Sequence, residues 1–191
     1  MTDQELLRIG RHLHERGWAL TSFSMLDILQ PVSLTDDLLR AVENTEQFID
    51  ANQAGRSGML MFREEAPLVL GRRLVEPIVK SLFMDNFNVM DALGVYAINH
   101  YEVGDFFNPH QDHFDGTVMI ATIIGRRRFD LYKKEPDDDV FREISDSVIL
   151  DVGSILILNG YKNLGHAAAC LDGPSISVVA DVPFPIMNVA E

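Results

Sequence analysis

Three side chains in the second half of this chain have the types and the spacing of ligands for a transition-metal ion. His110 and Asp112 are separated by one residue, and His166 follows a predicted neighbouring strand. Residues i and i+2 of a β-strand point to the same side, so His110 and Asp112 can face one ion. Two imidazoles and one carboxylate on one face of an octahedral ferrous ion leave the opposite face open for dioxygen and a co-substrate. The spacing therefore predicts a non-haem iron centre.

A His-x-Asp pair alone is a weak signal, because short motifs recur by chance and a loop histidine is the alternative for His110. The surrounding segment favours the metal site, since the sequence period from Gly94 to Pro185 is that of β-strands. Gly125 is predicted as a turn between two of them, and 136–139 as a solvated acidic hairpin tip. The predicted strands are 95–101, 118–124, 126–133, 148–151, 154–159, 167–171 and 175–182.

The first half of the chain has the pattern of helices. Thr2 is the predicted N-cap of a first helix, and Gly17 predicts its end. Two further helices are predicted over 36–52 and 67–87, and Pro77 is expected to kink or divide the second of these.

The order of these elements predicts the fold class. Helices first and strands afterwards indicate a mainly β fold with N-terminal helices (α+β), in which the helices pack on one face of a two-sheet β-sandwich. A length of 191 residues suits one domain, 1–191. We expect 1–93 to be mainly helical support and 94–185 to be the β core.

The composition is that of a folded, acidic protein. Hydrophobic residues make up 47% of the chain, and 29 acidic against 16 basic residues give a net charge of −13. This charge argues against holding a phosphodiester backbone, so we predict a small-molecule substrate and expect no nucleic-acid partner.

The chain begins without a leader-peptide pattern and lacks an apolar run of membrane length. It has one cysteine, Cys170, which we interpret as a small buried residue. A cytoplasmic location without membrane contact is predicted, and the oligomeric state stays open.

The sequence around the predicted ligands resembles a known enzyme family. The run Ile-Asn-His-Tyr at 98–101, then Gly104 and the His-Gln-Asp of 110–112, is similar to the Asn-x-Tyr, Gly and His-Gln-Asp pattern of AlkB-type dioxygenases. These belong to the Fe(II)/2-oxoglutarate-dependent oxygenases, whose fold is a double-stranded β-helix, a jelly-roll of the cupin kind. The resemblance implies that Asn99 and Tyr101 hydrogen-bond 2-oxoglutarate, and their shared strand parity agrees with that role.

A second resemblance concerns the co-substrate anchor. The segments 125–132 and 172–178 are similar to the JmjC-type and asparaginyl-hydroxylase branch. AlkB-type members bind the distal carboxylate of 2-oxoglutarate with an Arg or Lys on the last strand, but no Arg or Lys follows Lys162 here. JmjC-type members place their Lys on the fourth strand, two residues after a glycine, where this chain has Arg127 after Gly125. The resemblance therefore implies Arg127 as the anchor. The alternatives are Arg126, Arg128 and Lys162.

Strand parity adds two expectations. Arg127, Phe129 and Leu131 share one side of their strand, and this side should point inward. Asp181 shares the inward side of the last strand with Ser177, which makes it a candidate partner for Arg127 or for a cationic substrate.

The family resemblance implies an Fe(II)/2-oxoglutarate-dependent dioxygenase that uses O2 to oxidise a C–H bond, here predicted to be that of a small molecule. Two other classes stay open: an iron oxygenase that does not use 2-oxoglutarate, and a cupin-like metal-binding protein without oxygen chemistry. The missing cation on the last strand favours these alternatives, because an unpaired dianion in a closed barrel is strongly unfavourable. Binding of 2-oxoglutarate together with Fe(II) separates the three classes.

Overall fold

The computed structural model of the chain describes residues 2–26, 28, 36–41, 56–57, 60–62, 65–83, 87–111, 116–132, 143–160, 164–184 and 186. The helices in these ranges are α1 (Asp3–Arg16), α2 (36–41), α3 (Glu65–Phe83) and α4 (Phe87–Ala92). The strands are β1 (Trp18–Ser22), β2 (Arg56–Ser57), β3 (Leu60–Phe62), β4 (Gly94–Tyr101), β5 (Phe106–His110), β6 (Thr117–Tyr132), β7 (Ile144–Leu150), β8 (Ser154–Asn159) and β9 (Gly165–Val182). The sequence predictions that lie outside the described residues concern Asp112, Lys162, the acidic run 136–139 and positions 42–52.

The first helix begins and ends where the sequence predicts. The Oγ1 of Thr2 accepts a hydrogen bond from the backbone N–H of Glu5 at 3.3 Å, as an N-cap does. Gly17 follows the helix with a left-handed φ of 83°, and its N–H donates to the carbonyl of Leu13. Ile9 and Leu13 form the buried side of α1, which packs on the sheet.

Pro77 does not divide the third helix, and that part of the prediction was wrong. α3 continues through Pro77 to Phe83, and residues 84–86 of the predicted helix lie outside the described residues. Its buried side chains lie on both sides of the proline, with Leu74 before it and Ile78 after it. We attribute the continuity to this packing, which outweighs the one backbone hydrogen bond that proline removes. No helix in the described ranges is long and apolar enough to cross a membrane.

The described strands form one antiparallel sheet that folds over on itself. We call the part in the order β1-β8-β6-β9-β4-β3 the first half-sheet. In the second half-sheet, β7 pairs with the later part of β6, the early part of β9 pairs with β5, and β5 pairs with β2. β6 and β9 stay paired through both halves. This curled, mainly β architecture is the double-stranded β-helix that was predicted.

The turn predicted at Gly125 was wrong, because Gly125 lies inside one strand of 16 residues, β6. Gly173 likewise lies inside β9, where two separate strands were predicted. Both glycines have positive φ, 73° and 61°, and the register between the two strands shifts between Thr122 and Arg127. The strand pair therefore bends as a unit at this corner and passes from one half-sheet to the other without ending.

Two apolar layers hold the fold together. One layer lies between the helices and the first half-sheet, and its strand residues include Met119, Ile157 and Val178. The other layer lies between the two half-sheets, and we call it the barrel interior. Its buried members are Trp18, Ala97, Tyr101, Val118, Ile120, Phe129, Leu131, Leu150, Leu156, Leu158, Ala168, Cys170 and Val179. The predicted packing of the helices on one sheet is confirmed.

Gly125→Ala is expected to destabilise the fold much more than Gly173→Ala. A Cβ at Gly125 would stand 2.2 Å from the carbonyl oxygen of Pro174, whereas a Cβ at Gly173 would meet nothing within 4 Å among the described residues. Both substitutions carry left-handed strain of roughly 1–2 kcal/mol. At Gly125, but not at Gly173, the clash with Pro174 adds a further destabilisation of about 1–3 kcal/mol. Urea unfolding of both variants measures the difference, and equal destabilisation would show that the corner tolerates a side chain.

Candidate active site

His110 and His166 lie opposite each other on neighbouring strands of the second half-sheet. They are register partners in the antiparallel pair of β5 and β9, and their ring centroids are 4.3 Å apart. His166 is buried and His110 is half-buried. Phe107 stacks on His110 with centroids 3.5 Å apart, and Phe129 stacks on His166 at 5.1 Å. The fold therefore brings two of the three predicted metal ligands together.

Backbone carbonyls orient both imidazoles. The Nδ1 of His110 lies 2.8 Å from the carbonyl oxygen of Asn108, and the Nδ1 of His166 lies 3.3 Å from that of Leu164. A ring that donates from Nδ1 carries its lone pair on Nε2, and this is the tautomer that metal-ligating histidines use when their second nitrogen is held by a backbone carbonyl.

The third predicted ligand, Asp112, lies outside the described residues. Within the described ranges no three His, Cys, Asp or Glu side chains come together as a metal site. The two histidines nevertheless fit a ferrous ion, because imidazole suits iron and both tautomers are set by the backbone. The chain also continues from His110 through Gln111 directly to Asp112. The three ligand assignments stay predictions.

Arg127 lies deep in the barrel interior, with 1% of its surface exposed, and its predicted inward direction is confirmed. Its Nη1 donates to the Oγ of Ser177 at 2.9 Å, and its Nη2 lies 3.4 Å from the Oγ1 of Thr122. Both partners are neutral, and no carboxylate in the described part of the chain forms an ion pair with Arg127. Burial lowers the pKa of Arg127 below its ordinary value, as expected for a cation removed from water without a counter-ion.

Buried polar atoms near Arg127 point to a ligand. Within the described residues, the Nε of Arg127 and the Oδ1 of Asn99 are buried without a hydrogen-bond partner. The Cζ of Arg127 lies 5.4 Å from the ring centroid of Tyr101, and Asn99 and Tyr101 share one side of β4. Buried polar groups without partners are rare in native proteins. A guanidinium, an amide and a phenol in one apolar interior fit a bound carboxylate such as that of 2-oxoglutarate.

The alternative anchors differ from Arg127 in their surroundings. Arg126 is half-exposed and forms ion pairs with two aspartates, at 3.0 and 3.5 Å. Arg128 is equally exposed and pairs with Asp130 at 3.0 Å. Lys162 lies outside the described residues. Of the three adjacent arginines, Arg127 is the one whose charge is buried and not matched by a described carboxylate.

Thr122 was missed in the sequence analysis. It lies in the run 118–124, which was interpreted as an apolar strand, and a hydroxyl inside such a run is the signal that could have identified it. Ser177 stands on the last strand, where the missing cation was expected, and it accepts a hydrogen bond from Arg127 instead. Asp181 is four residues beyond Ser177 on β9 and forms no described ion pair with Arg127, so this suggested pairing was wrong.

Asp181→Asn is expected to have a free energy of unfolding at neutral pH that is equal to, or higher than, that of the unaltered protein. Burial raises the pKa of Asp181 above the ordinary 3.8, and a backbone hydrogen bond only partly offsets it. The ionised carboxylate therefore opposes folding above the raised pKa, and this penalty disappears as the pH falls and the group takes up a proton. Urea unfolding at neutral and acidic pH should show an advantage of the variant that shrinks with falling pH. A variant less stable at neutral pH would contradict this account.

No protein-family model and no curated protein matches the sequence. Solved structures share its fold. A prolyl hydroxylase from Trichoplax adhaerens, in complex with a peptide fragment of hypoxia inducible factor, is 12% identical with a TM-score of 0.57, over 94% of this chain and 90% of that one. A Pseudomonas putida prolyl-4-hydroxylase is 17% identical with a TM-score of 0.50, over 94% of this chain and 98% of that one.

A third structure is the Escherichia coli ribosomal oxygenase YcfD in complex with cobalt and 2-oxoglutarate. It is 17% identical with a TM-score of 0.56, over 90% of this chain and 50% of that one. The chain thus spans about half the length of that oxygenase. At these identities the likeness shows a shared fold, the double-stranded β-helix.

The prediction of a small-molecule substrate without a nucleic-acid partner was wrong. Among the structures that share the fold, one holds a peptide fragment and another is a ribosomal oxygenase, which associates this fold with macromolecules. The net charge of −13 was a poor guide, because the local surface at a site, and not the sum over the chain, decides which class of substrate can bind.

Proposed function

We propose that this protein is an Fe(II)- and 2-oxoglutarate-dependent oxygenase that oxidises a C–H bond of a polypeptide. The observation that carries the proposal is the buried guanidinium of Arg127, which no described carboxylate neutralises and which shares an apolar interior with two oriented histidines. A guanidinium can bind a carboxylate through two parallel hydrogen bonds. The hydroxylases and the oxygenase that share the fold support the same chemistry and a polypeptide substrate.

The strand register supports a ligand that extends from Arg127 to the histidines. Arg127 is opposite Cys170 and Leu131 is opposite His166, so four residues of β6 separate the two positions. This is about 13 Å at roughly 3.3 Å per residue. The arginine side chain, a short dicarboxylate and an imidazole-bound ion together fill such a distance. Phe129 lies between the two ends and helps to exclude water.

The metal end of the site would be formed by His110, Asp112 and His166, with the imidazoles binding through Nε2. When bound, Fe(II), 2-oxoglutarate and O2 supply the oxidation, in which 2-oxoglutarate gives succinate and CO2 while one oxygen atom enters succinate and the other enters the substrate C–H bond. The carbonyl contacts of the two Nδ1 atoms keep the rings in place for this task.

The co-substrate end would be formed by Arg127, Asn99 and Tyr101. Arg127 would bind the distal carboxylate of 2-oxoglutarate, with Ser177 and Thr122 holding its guanidinium in position. Asn99 and Tyr101, which share one side of β4, would hydrogen-bond the co-substrate from the first half-sheet. Apolar neighbours strengthen these contacts, because charges and dipoles interact more strongly where water is excluded.

Succinate formation tests the proposal. The purified protein is incubated with Fe(II), ascorbate and 2-oxoglutarate in air, and succinate is followed by NMR. We expect slow succinate release that stops when Fe(II) is omitted or when 2-oxoglutarate is replaced by its reduced analogue, 2-hydroxyglutarate. A protein that binds Fe(II) tightly but neither binds nor consumes 2-oxoglutarate would contradict the proposal, and would favour an oxygenase that does not use 2-oxoglutarate or a metal-binding protein.

A further inference from the structure

Two rows of inward-facing residues lie opposite each other at the metal end of the barrel interior. The first half-sheet carries one row of register partners, which we call the carboxylate row: Trp18, Leu158, Val118, Asp181 and Gly94. The second half-sheet carries the other, which we call the metal row: Asp146, Leu131, His166 and His110. Both rows contribute to the same apolar cluster.

A side-chain contact aligns the two rows. The Nε1 of Trp18 donates a hydrogen bond to the Oδ2 of Asp146 at 3.3 Å, which joins the first member of each row across the interior. Because the half-sheets are stacked face to face, the far ends of the rows also lie on facing sides. Asp181 is therefore on the side of the interior that faces His166 and His110.

The carboxylate of Asp181 is available to a ligand. Its side chain is half-buried, and no basic side chain in the described ranges forms an ion pair with it. Its register partner on β4 is Gly94, where a Cβ would stand 2.6 Å from the Oδ1 of Asp181. The absence of a side chain at Gly94 therefore gives the carboxylate of Asp181 the room to lie beside β4. A partly buried, unpaired carboxylate that lines a site is a candidate for recognition of a cation.

We propose that Asp181 binds a lysine or arginine side chain of a polypeptide substrate when that substrate binds beside the metal centre. The inference rests on the proposed function and adds the residue type that the substrate presents. A charge-assisted hydrogen bond to an ammonium or guanidinium group would neutralise this carboxylate, which forms no ion pair with a basic side chain in the described ranges.

Mixtures of short random peptides that share one fixed central residue test the inference. Succinate formation is measured with mixtures fixed as Arg, Lys, Gln or Glu, and with a random single-stranded oligonucleotide. Anisotropy of the labelled Arg mixture, measured without metal, gives a readout independent of turnover. Asp181→Asn is compared with Asp146→Asn, which removes a negative charge from the facing row but keeps an acceptor for Trp18. This matched control separates the contact from the general attraction of an acidic protein.

We expect the Arg and Lys mixtures to stimulate succinate formation on the order of 10-fold more than the Gln mixture, since a hydrogen bond to a charged group has about this effect. Asp181→Asn should bring the ratio close to one and weaken binding of the Arg mixture, while Asp146→Asn retains both. Equal stimulation by all mixtures, or an unchanged ratio in Asp181→Asn, would overturn the inference and leave the oxygenase proposal standing. Stimulation by the oligonucleotide alone would overturn the inference and the polypeptide substrate, but not the use of Fe(II) and 2-oxoglutarate. Failure to bind 2-oxoglutarate would overturn both.

Discussion

Replacing His166 with alanine is expected to weaken Fe(II) binding by at least ~2 orders of magnitude while the protein stays folded. Loss of a residue that only orients a metal ligand already lowers affinity by roughly 10–100-fold, and His166 is proposed as a ligand itself. The fold should persist, because the apolar interior and the long β6–β9 ladder do not depend on the imidazole. Anaerobic equilibrium dialysis against Fe(II) measures the affinity. The same result is expected for His110→Ala and Asp112→Ala.

The matched control is His14→Ala, which removes an exposed imidazole from α1. This variant should bind Fe(II) as the unaltered protein does. Far-ultraviolet circular dichroism of all four variants establishes that they are folded. Full Fe(II) affinity in any one of the three ligand variants would remove that residue from the metal centre.

Arg127→Ala is expected to raise the concentration of 2-oxoglutarate needed for half-maximal succinate formation by about 2 orders of magnitude. Removing a charge-assisted hydrogen bond from a buried site weakens binding by roughly 3 kcal/mol, and ~1.4 kcal/mol corresponds to a factor of ten. Fe(II) affinity should be unchanged, because four residues of β6 separate Arg127 from the residue that faces His166. Steady-state assays and Fe(II) dialysis together measure the two effects.

Two further variants test the position of this charge. Arg128→Ala removes the adjacent, exposed arginine and should have little effect on 2-oxoglutarate. Ser177→Arg in the Arg127→Ala background should restore part of the affinity, because the Oγ of Ser177 lies 2.9 Å from the Nη1 of Arg127 and can be replaced by a guanidinium from the facing strand. Unchanged 2-oxoglutarate dependence in Arg127→Ala would remove Arg127 as the anchor.

The parts of the fold that follow from local sequence could be predicted. Thr2 and Gly17 determine the ends of α1 through capping, and the strand period predicted the inward direction of Arg127. What could not be predicted depends on distant partners. Gly125 has the sequence of a turn, but Pro174 and its neighbours on β9 bend with β6 and keep the strand continuous.

The same distinction applies to the candidate site. The one-residue spacing of His110 and Asp112 and the later histidine, His166, predicted a metal centre. The structure places the ring centroids of His110 and His166 4.3 Å apart. The contact of Thr122 with Arg127 arises only because β6 folds back over its own earlier part, which no local pattern reveals. The substrate class was predicted from net charge and was wrong, since a sum over the chain contains no information on where a charge such as that of Asp181 lies.

Anaerobic titration with Fe(II) and 2-oxoglutarate tests the central claim most directly. A 2-oxoglutarate molecule that chelates ferrous iron gives a weak visible charge-transfer absorption, which neither component shows alone with the protein. We expect this absorption to appear in the unaltered protein only when both are present, to be absent in His166→Ala, and to require much more 2-oxoglutarate in Arg127→Ala. Tight Fe(II) binding without any such absorption at saturating 2-oxoglutarate would contradict the account.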